Sequence, residues 1–280
     1  MTKRLCRQIG FGKPLLFWGF SLAFGLSRRT SMCSALSSHI LSLLYNQYYF
    51  IFAILPILLF FCGSVMEDDP IIFVLRYGSY KHYFTSKWRS LGVLCSGLWL
   101  GQITILFVTG AGLSVIKQGW DNFSGSSLLK EIAPLLVKSF PGAWVAVFCA
   151  AVYMLMGYWL IALLTLWLGH FLQRQKAIKV LLALYILTIL SIKLPIMSRP
   201  PFCYLTGINH WVLLLHNLTA GWRFPLTVIV TLLFVVTVIC SIQGGWRSAA
   251  HHHRISKGLP AYYRHILFSP SNFLVLAISL

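Results

Sequence analysis

The chain has 280 residues, of which 58% are apolar and only 10% are charged, and its mean hydropathy is +0.77. Soluble domains carry about one quarter charged residues, so this composition excludes an ordinary water-soluble fold and favours an all-α protein of the lipid bilayer. The net charge of +18 comes from 23 Lys and Arg against five Asp and Glu. No basic soluble module interleaved with aromatic residues accompanies that charge, so we expect no nucleic-acid partner.

Six apolar stretches follow one another along the chain, and each approaches the roughly 20 residues that an α-helix needs to cross about 30 Å of hydrocarbon. They lie near residues 9–26, 48–66, 91–116, 143–169, 178–195 and 225–242. The first contains Lys13, whose amine should reach toward the interface, and the fifth ends near Lys193. The pattern predicts a polytopic membrane protein of about six transmembrane helices, with residues 1–280 forming a single transmembrane domain.

The distribution of basic residues predicts the orientation. With both termini in the cytoplasm, the cytoplasmic segments hold 15 of the 23 Lys and Arg and the external segments hold eight, which is the bias that keeps positive charge inside. No cleavage site follows the apolar stretch Pro14–Leu26, so we expect the N-terminus to stay in the mature protein. Residues 244–280 form a cytoplasmic tail, and we expect a multi-pass protein of the cytoplasmic membrane.

The segment between the second and third predicted spans carries the most informative pattern. Three of the five acids, Glu67, Asp68 and Asp69, directly precede Pro70. Carboxylates accept the free N–H groups of a helix start and Pro tolerates the first turn, so a helix should begin at about Pro70.

Aromatic residues recur beyond that start at steps of three or four, which places them on one helical face. They are Phe73, Tyr77, Tyr80, Phe84 and Trp88. The basic residues of the segment lie largely off this face, and Gly78 marks a bend or break. The pattern predicts a basic amphipathic helix at the cytoplasmic membrane surface, which either anchors the chain at the interface or docks a cytoplasmic partner.

The six-span layout and the segment Glu67–Arg89 resemble the permease subunits of ATP-binding-cassette exporters of the type-two superfamily. The core Leu75-Arg76-Tyr77-Gly78-Ser79 is similar to the loop after the second span in small permeases of antimicrobial-peptide export and self-protection. The resemblance implies a coupling helix that fits a groove on a cytoplasmic ATPase subunit. The docking residues implied in this way are Glu67, Asp68, Asp69, Phe73, Arg76, Tyr77 and Tyr80.

The resemblance also implies where the energy comes from. The sequence holds no G-x-x-x-x-G-K-[ST] phosphate loop, so ATP and Mg would be bound by the partner ATPase, and we expect no cofactor in this chain. A second permease copy, identical or paralogous, would complete the transport path. The tail after Gln243 is longer than the usual terminus in that family.

The sequence lacks the motifs of common hydrolases. H-E-x-x-H and G-x-S-x-G are absent, and the five acids lie at span ends or in loops rather than as a carboxylate pair inside the membrane. We therefore expect no enzyme activity in this chain. The alternative to a transport subunit is a non-transporting scaffold, immunity factor or sensor that docks a cytoplasmic partner through Glu67–Arg89.

The third predicted span contains a Gly97-x-x-x-Gly101 face that permits close helix packing, within one subunit or between two. Gln102 and Thr104 in the same span are polar groups in hydrocarbon, so we expect both to face protein or a water-filled path.

Cysteine and histidine residues outside the spans leave open alternatives. Cys33 and Cys203 fall in predicted external segments, where they form a disulfide or remain free thiols. The external segment Cys203–Pro225 carries His210 and Trp211 and is expected to form a short interfacial or re-entrant helix. We expect no metal site at His251-His252-His253, because nothing in the sequence supplies further converging ligands.

Overall fold

The computed structural model describes residues 2–29, 35–66, 77, 80–115, 134–172, 174–193, 207–218 and 223–243. Within these ranges every regular element is a helix, which confirms the all-α class for the described part of the chain. Several predicted features lie outside it, namely the helix start at Pro70, the bend at Gly78, Cys33, Cys203, His251–His253 and the tail 244–280.

The principal helices are numbered here in chain order. They are α1 (Thr2–Ile9), α2 (Gly12–Arg29), α3 (Leu36–Leu44), α4 (Gln47–Gly63), α5 (Tyr80–Thr109), α6 (Ala143–Phe171), α7 (Arg174–Lys193), α8 (Gly207–Val212), α9 (Leu214–Leu218) and α10 (Arg223–Gln243).

Three of these helices are long and apolar enough to cross a membrane alone: Lys81–Thr109 within α5, Ala143–Phe171 and Phe224–Ile242. Two bent pairs raise the number to five if each pair is one span, α1 with α2 and α3 with α4. The predicted fifth span falls on α7, whose first turns carry Arg174, Lys176 and Lys179, and α7 is not among these candidates. Within the described residues the protein is helical and has three to five candidate membrane spans, and six spans are not confirmed.

The first predicted span, 9–26, begins where the helix bends. Gly10 adopts φ +71°, a left-handed conformation that glycine tolerates, and α1 meets α2 at 70°. Lys13 closes the break, because its Nζ donates to the carbonyl of Ile9 at 2.8 Å and lies 4.9 Å from the centre of the Phe60 ring. The amine thus bonds to the end of α1, and its reach toward the membrane interface stays a prediction.

Helix α3 was not expected from the sequence. It is buried along most of its length and bends by 50° into α4. Two of its serines satisfy their own polarity: Ser38 Oγ donates to the carbonyl of Ala35 and Ser42 Oγ to that of His39, each at 2.7 Å. Such local bonds let a Ser-containing helix enter an apolar interior.

The centre of the bundle is α6, which packs against α3, α4, α5, α7 and α8. Of its most apolar stretch 56% is buried, against 33% for α5 and 11% for α10. Indole N–H groups join α5 and α6 in both directions, since Trp99 Nε1 donates to the carbonyl of Ala151 at 2.9 Å and Trp159 Nε1 donates to Ser96 Oγ at 3.0 Å. The core therefore lies around α6, with α10 at the rim.

Candidate functional site in the membrane bundle

The structure describes only the end of the predicted docking segment. Glu67, Asp68, Asp69, Phe73 and Arg76 lie outside the described residues.

The two remaining docking residues lie at the start of α5. Tyr77 contacts that start, with its ring centre 5.6 Å from that of Tyr83 and its hydroxyl 3.5 Å from Ser86 Oγ. Tyr80 is the first residue of α5, and its side chain is not described. The structure thus brings Tyr77 to the base of α5 and leaves the other docking residues unplaced.

The later members of the aromatic face point into the bundle. Phe84 is 5% exposed and its ring lies 6.3 Å from that of His170, while the Trp88 ring lies 5.9 Å from that of Trp159 at a steep angle. Residues 80–88 belong to the same continuous helix as the third span, so the structure does not confirm a distinct amphipathic helix in this part. Contacts with α6 account for this, because Phe84 packs against His170 and the half-buried Trp88 against Trp159.

Helix α5 is longer than the hydrocarbon core of a bilayer is thick. Its 30 residues extend over about 45 Å, against about 30 Å of hydrocarbon. If α5 crosses along the membrane normal, about 15 Å of it extends into the head-group layer or beyond. Lys81 and Arg89 are exposed near the start of α5, so its first turns are the part suited to that layer.

Exposed basic side chains gather at the same end of several helices. Lys13 at the start of α2 contacts Phe60 at the end of α4. Phe84 at the start of α5 contacts His170 at the end of α6, and Met66, which follows α4, packs with Ala177 near the start of α7. The exposed basic residues at this end are Lys3, Arg7, Lys81, Arg89, Arg174, Lys176 and Lys179. We call it the basic end. No Asp or Glu falls within the described ranges.

A buried chain of polar side chains crosses the interior between α2, α4, α5 and α6. The Tyr158 hydroxyl donates to Gln102 Oε1 at 2.7 Å, and Gln102 Nε2 donates to the Tyr49 hydroxyl at 3.3 Å. The Tyr49 hydroxyl in turn donates to Ser21 Oγ at 2.7 Å, and Ser21 Oγ donates to the carbonyl of Phe17 at 2.9 Å. We call these four side chains the polar chain.

Each member of the polar chain is at most 3% exposed, and each donor has an acceptor. Unpaired polar groups are costly in a lipid-surrounded interior, so a closed chain of this kind holds four helices in one register. It contains no carboxylate or imidazole, and its chemistry is that of a structural tie rather than of a proton relay.

The sequence identified one member of the polar chain. Gln102 is buried against protein, as expected, whereas Thr104 is exposed and is not buried against any described residue. Thr104 Oγ1 donates to the carbonyl of Leu100 at 2.9 Å, so its hydroxyl is satisfied within its own helix and needs no protein neighbour. Tyr49 and Tyr158 were missed because a tyrosine in an apolar run carries no sign of where its hydroxyl points.

Gly97 and Gly101 play different parts. No described atom lies within 4 Å of the position a Cβ would take at Gly97. At Gly101 that position is occupied by the indole of Trp18, whose Nε1 donates to the carbonyl of Leu98 at 3.2 Å. Gly101 therefore permits the contact between α2 and α5, and Gly97 has no such contact among the described residues.

The predicted external segment 203–225 is described in part and forms α8 and α9. Asn217 is its organising residue: Nδ2 donates to the carbonyl of His210 at 2.9 Å and lies 2.5 Å from the Tyr153 hydroxyl, and Oδ1 accepts from Thr227 Oγ1 at 2.8 Å. Tyr153 also donates to the His210 carbonyl. These bonds tie the two short helices to α6 and α10, and the side chain of Trp211 packs against Phe234 of α10.

Another polar contact joins α3 to the end of α5. His39 is fully buried, and its Nε2 lies 3.2 Å from Thr109 Oγ1, while Nδ1 has no hydrogen-bond partner among the described residues. Nearby, Arg29 Nη2 donates to the carbonyl of Ala111 at 2.7 Å. These bonds tie α2 and α3 to the end of α5.

Two cysteine thiols also lie close together in the interior. Cys62 of α4 and Cys95 of α5 are both fully buried, with their sulfur atoms 4.0 Å apart. Within the described residues no three His, Cys, Asp or Glu side chains come together as a metal site would require. The thiol pair therefore stands alone as a packing contact between two spans.

Comparison with known proteins places the chain in no family. No protein-family model, no curated protein and no solved structure matches it.

Proposed function

We propose that the chain is the membrane-spanning permease subunit of an ATP-driven exporter of the ATP-binding-cassette class, lodged in the cytoplasmic membrane with both termini in the cytoplasm. The observation that carries the proposal is the position of the basic half of the predicted docking segment. It forms the start of α5, a single helix that continues into a candidate membrane span. A rigid helix of this kind transmits a force applied at the docking segment to the membrane interior.

The gathering of cations supports the proposed orientation. Charges from α1, α5 and α7 share one end of the bundle, and positive charge is retained on the cytoplasmic side. The docking segment between α4 and α5 then lies on the same side as an ATPase in the cytoplasm.

Energy would come from that ATPase, which binds ATP and Mg. ATP shifts the permease between inward-facing and outward-facing states only through a difference in its contacts with the two states. The cargo would be a peptide or another amphipathic compound, and a second permease copy or a paralogue would form the other wall of its path.

The docking step is tested by recovery of the ATPase. A tagged chain is purified from its native membrane in mild detergent, and its partners are identified by mass spectrometry. The variant Phe73→Asp/Tyr77→Asp/Tyr80→Asp should lose an ATPase that the unaltered chain retains. Lys81→Asp is the matched control, because it adds acidic charge beside the predicted aromatic face rather than on it. Retention of the ATPase by the triple variant would refute docking through this face.

A non-transporting membrane protein is the second candidate, as a scaffold, immunity factor or sensor. The polar chain favours it, since Ser21, Tyr49, Gln102 and Tyr158 satisfy one another and leave no polar group there to line a path. Recovery of a cytoplasmic partner other than an ATPase, lost in the same triple variant, would support this candidate and exclude the first.

A further inference from the structure

Helix α3 is polar and yet lies inside the bundle, where it packs against α2, α5 and α6. Its side chains Ser37, Ser38 and His39 are at most 3% exposed, and Tyr45, directly after the helix, is 2% exposed. His39 contacts Thr109 at the end of α5, so α3 lies in the half of the bundle away from the basic end. In such apolar surroundings a polar group without a hydrogen-bond partner is costly.

Local bonds satisfy only part of this polarity. Ser38 and Ser42 donate to carbonyls of residues in or next to their own helix. Two buried atoms are left, since His39 Nδ1 and the Tyr45 hydroxyl oxygen have no hydrogen-bond partner among the described residues. The two residues are six positions apart, which is about 9 Å along the helix axis. A buried polar atom of this kind calls for a partner from outside the protein.

The neighbours of the Tyr45 hydroxyl are only partly covered. Ser42, one turn earlier on the same face of α3, is half-buried, and so is Cys149 of α6. Cys149 lies within electrostatic range of Tyr45, so surface on both helices stays open near the hydroxyl. Lipid tails offer no hydrogen bond in such an opening, whereas water offers both donors and acceptors.

We propose that water occupies a crevice beside α3, where it bonds to the Tyr45 hydroxyl and, nearer the end of α5, to His39 Nδ1. Buried water typically makes about three hydrogen bonds to groups that otherwise have no partner. The Ser42 hydroxyl, which donates to the carbonyl of His39, keeps its acceptor capacity for the same water. In the exporter proposed above, this crevice would form the outer part of the cargo path, but its hydration does not depend on that function.

Cys149 is a native reporter of water in the crevice. Its matched control is the adjacent position Phe148, which is 68% exposed on a candidate span and so faces lipid at nearly the same depth. The unaltered chain and the variant Phe148→Cys/Cys149→Ser are placed in nanodiscs and treated with a small water-soluble methanethiosulfonate, and labelling is followed by peptide mass spectrometry. We expect Cys149 to label at least about tenfold faster than the thiol at position 148, because the reactive thiolate does not form in hydrocarbon.

The variant Tyr45→Phe tests the hydroxyl itself. Removing a group that binds the water should slow the labelling of Cys149 severalfold and should not raise the thermal unfolding midpoint. A dry, unpaired hydroxyl predicts a higher midpoint, since its removal relieves the cost of burying it. Tyr48→Phe is the matched control, because Tyr48 is 42% exposed, and it should leave the labelling of Cys149 unchanged.

Four results would overturn the proposal, and the first two require no change at Tyr45. They are a lack of labelling at Cys149, labelling at position 148 as fast as at Cys149, unchanged labelling of Cys149 in Tyr45→Phe, and a higher unfolding midpoint for Tyr45→Phe. None of these measurements involves the ATPase, so failure of the crevice and failure of the exporter are separate results.

Discussion

Replacing Gln102 by methionine tests whether the polar chain holds the bundle together. The substitution keeps the length of the side chain but removes the acceptor of the Tyr158 hydroxyl and the donor to the Tyr49 hydroxyl, bonds of 2.7 and 3.3 Å. Tyr49 keeps Ser21 as its acceptor. Tyr158 is fully buried, so its hydroxyl is left without any described acceptor.

The expected loss follows from that single unpaired donor. A buried hydroxyl without a partner costs about 1–3 kcal/mol, and hydrogen bonds between membrane helices contribute about 0.6 kcal/mol on average and up to about 1.7. We therefore expect Gln102→Met to lower the free energy of unfolding by about 1–2 kcal/mol. Tyr158→Phe removes the other partner of this hydrogen bond. The double variant Gln102→Met/Tyr158→Phe should lose about 1 kcal/mol less free energy of unfolding than the sum of the two single losses.

The assay is unfolding by SDS in mixed micelles, followed by circular dichroism. Thr104→Val is the matched control, because Thr104 lies two residues away on the same helix, is exposed and bonds only to the carbonyl of Leu100. It should leave the unfolding midpoint unchanged. A midpoint for Gln102→Met equal to that of the control, or strict additivity in the double variant, would refute the reasoning.

Two further predictions test the packing of α5. Gly101→Ala should lower the thermal unfolding midpoint, because its Cβ would occupy the place of the Trp18 indole and overpacking costs about 1–3 kcal/mol. Gly97→Ala is the control and should not lower the midpoint. Equal losses in the two variants would contradict the packing of α2 on α5. Mild copper-phenanthroline oxidation should cross-link the buried Cys62 and Cys95, whose sulfur atoms lie 4.0 Å apart, as peptide mass spectrometry would show. Cys95→Ala should abolish the product, and its absence from the unaltered chain would contradict the contact of α4 with α5.

Long apolar runs were predicted well. The predicted span 143–169 corresponds to α6 at Ala143–Phe171, and 225–242 to α10 at Arg223–Gln243. A run that long and that apolar has one stable arrangement in lipid, because only a helix satisfies its backbone internally. Residues 91–116 were placed less well, since α5 begins earlier, at Tyr80, and ends at Thr109.

Short or interrupted elements could not be predicted from hydropathy. Helix α3 contains Ser37, Ser38, His39 and Ser42. These polar side chains lower its hydropathy, so hydropathy does not predict that the helix is buried. At the bend near Gly10, Lys13 contacts the carbonyl of Ile9 and the ring of Phe60, and hydropathy likewise does not report such contacts. The docking residues Glu67, Asp68, Asp69, Phe73 and Arg76 stay predictions, because they lie outside the described residues.

Hydropathy by itself determined that this chain is helical and belongs in a bilayer, because the cost of exposing apolar residues to water and unpaired backbone to lipid adds up locally along the sequence. Only the tertiary structure decided which polar side chains meet. Gln102 and Tyr158 are 56 residues apart in sequence and 2.7 Å apart in space, while Thr104, two positions from Gln102, faces outward. Hydropathy does not distinguish such neighbours, since a contact depends on how helices pack and rotate against one another rather than on composition.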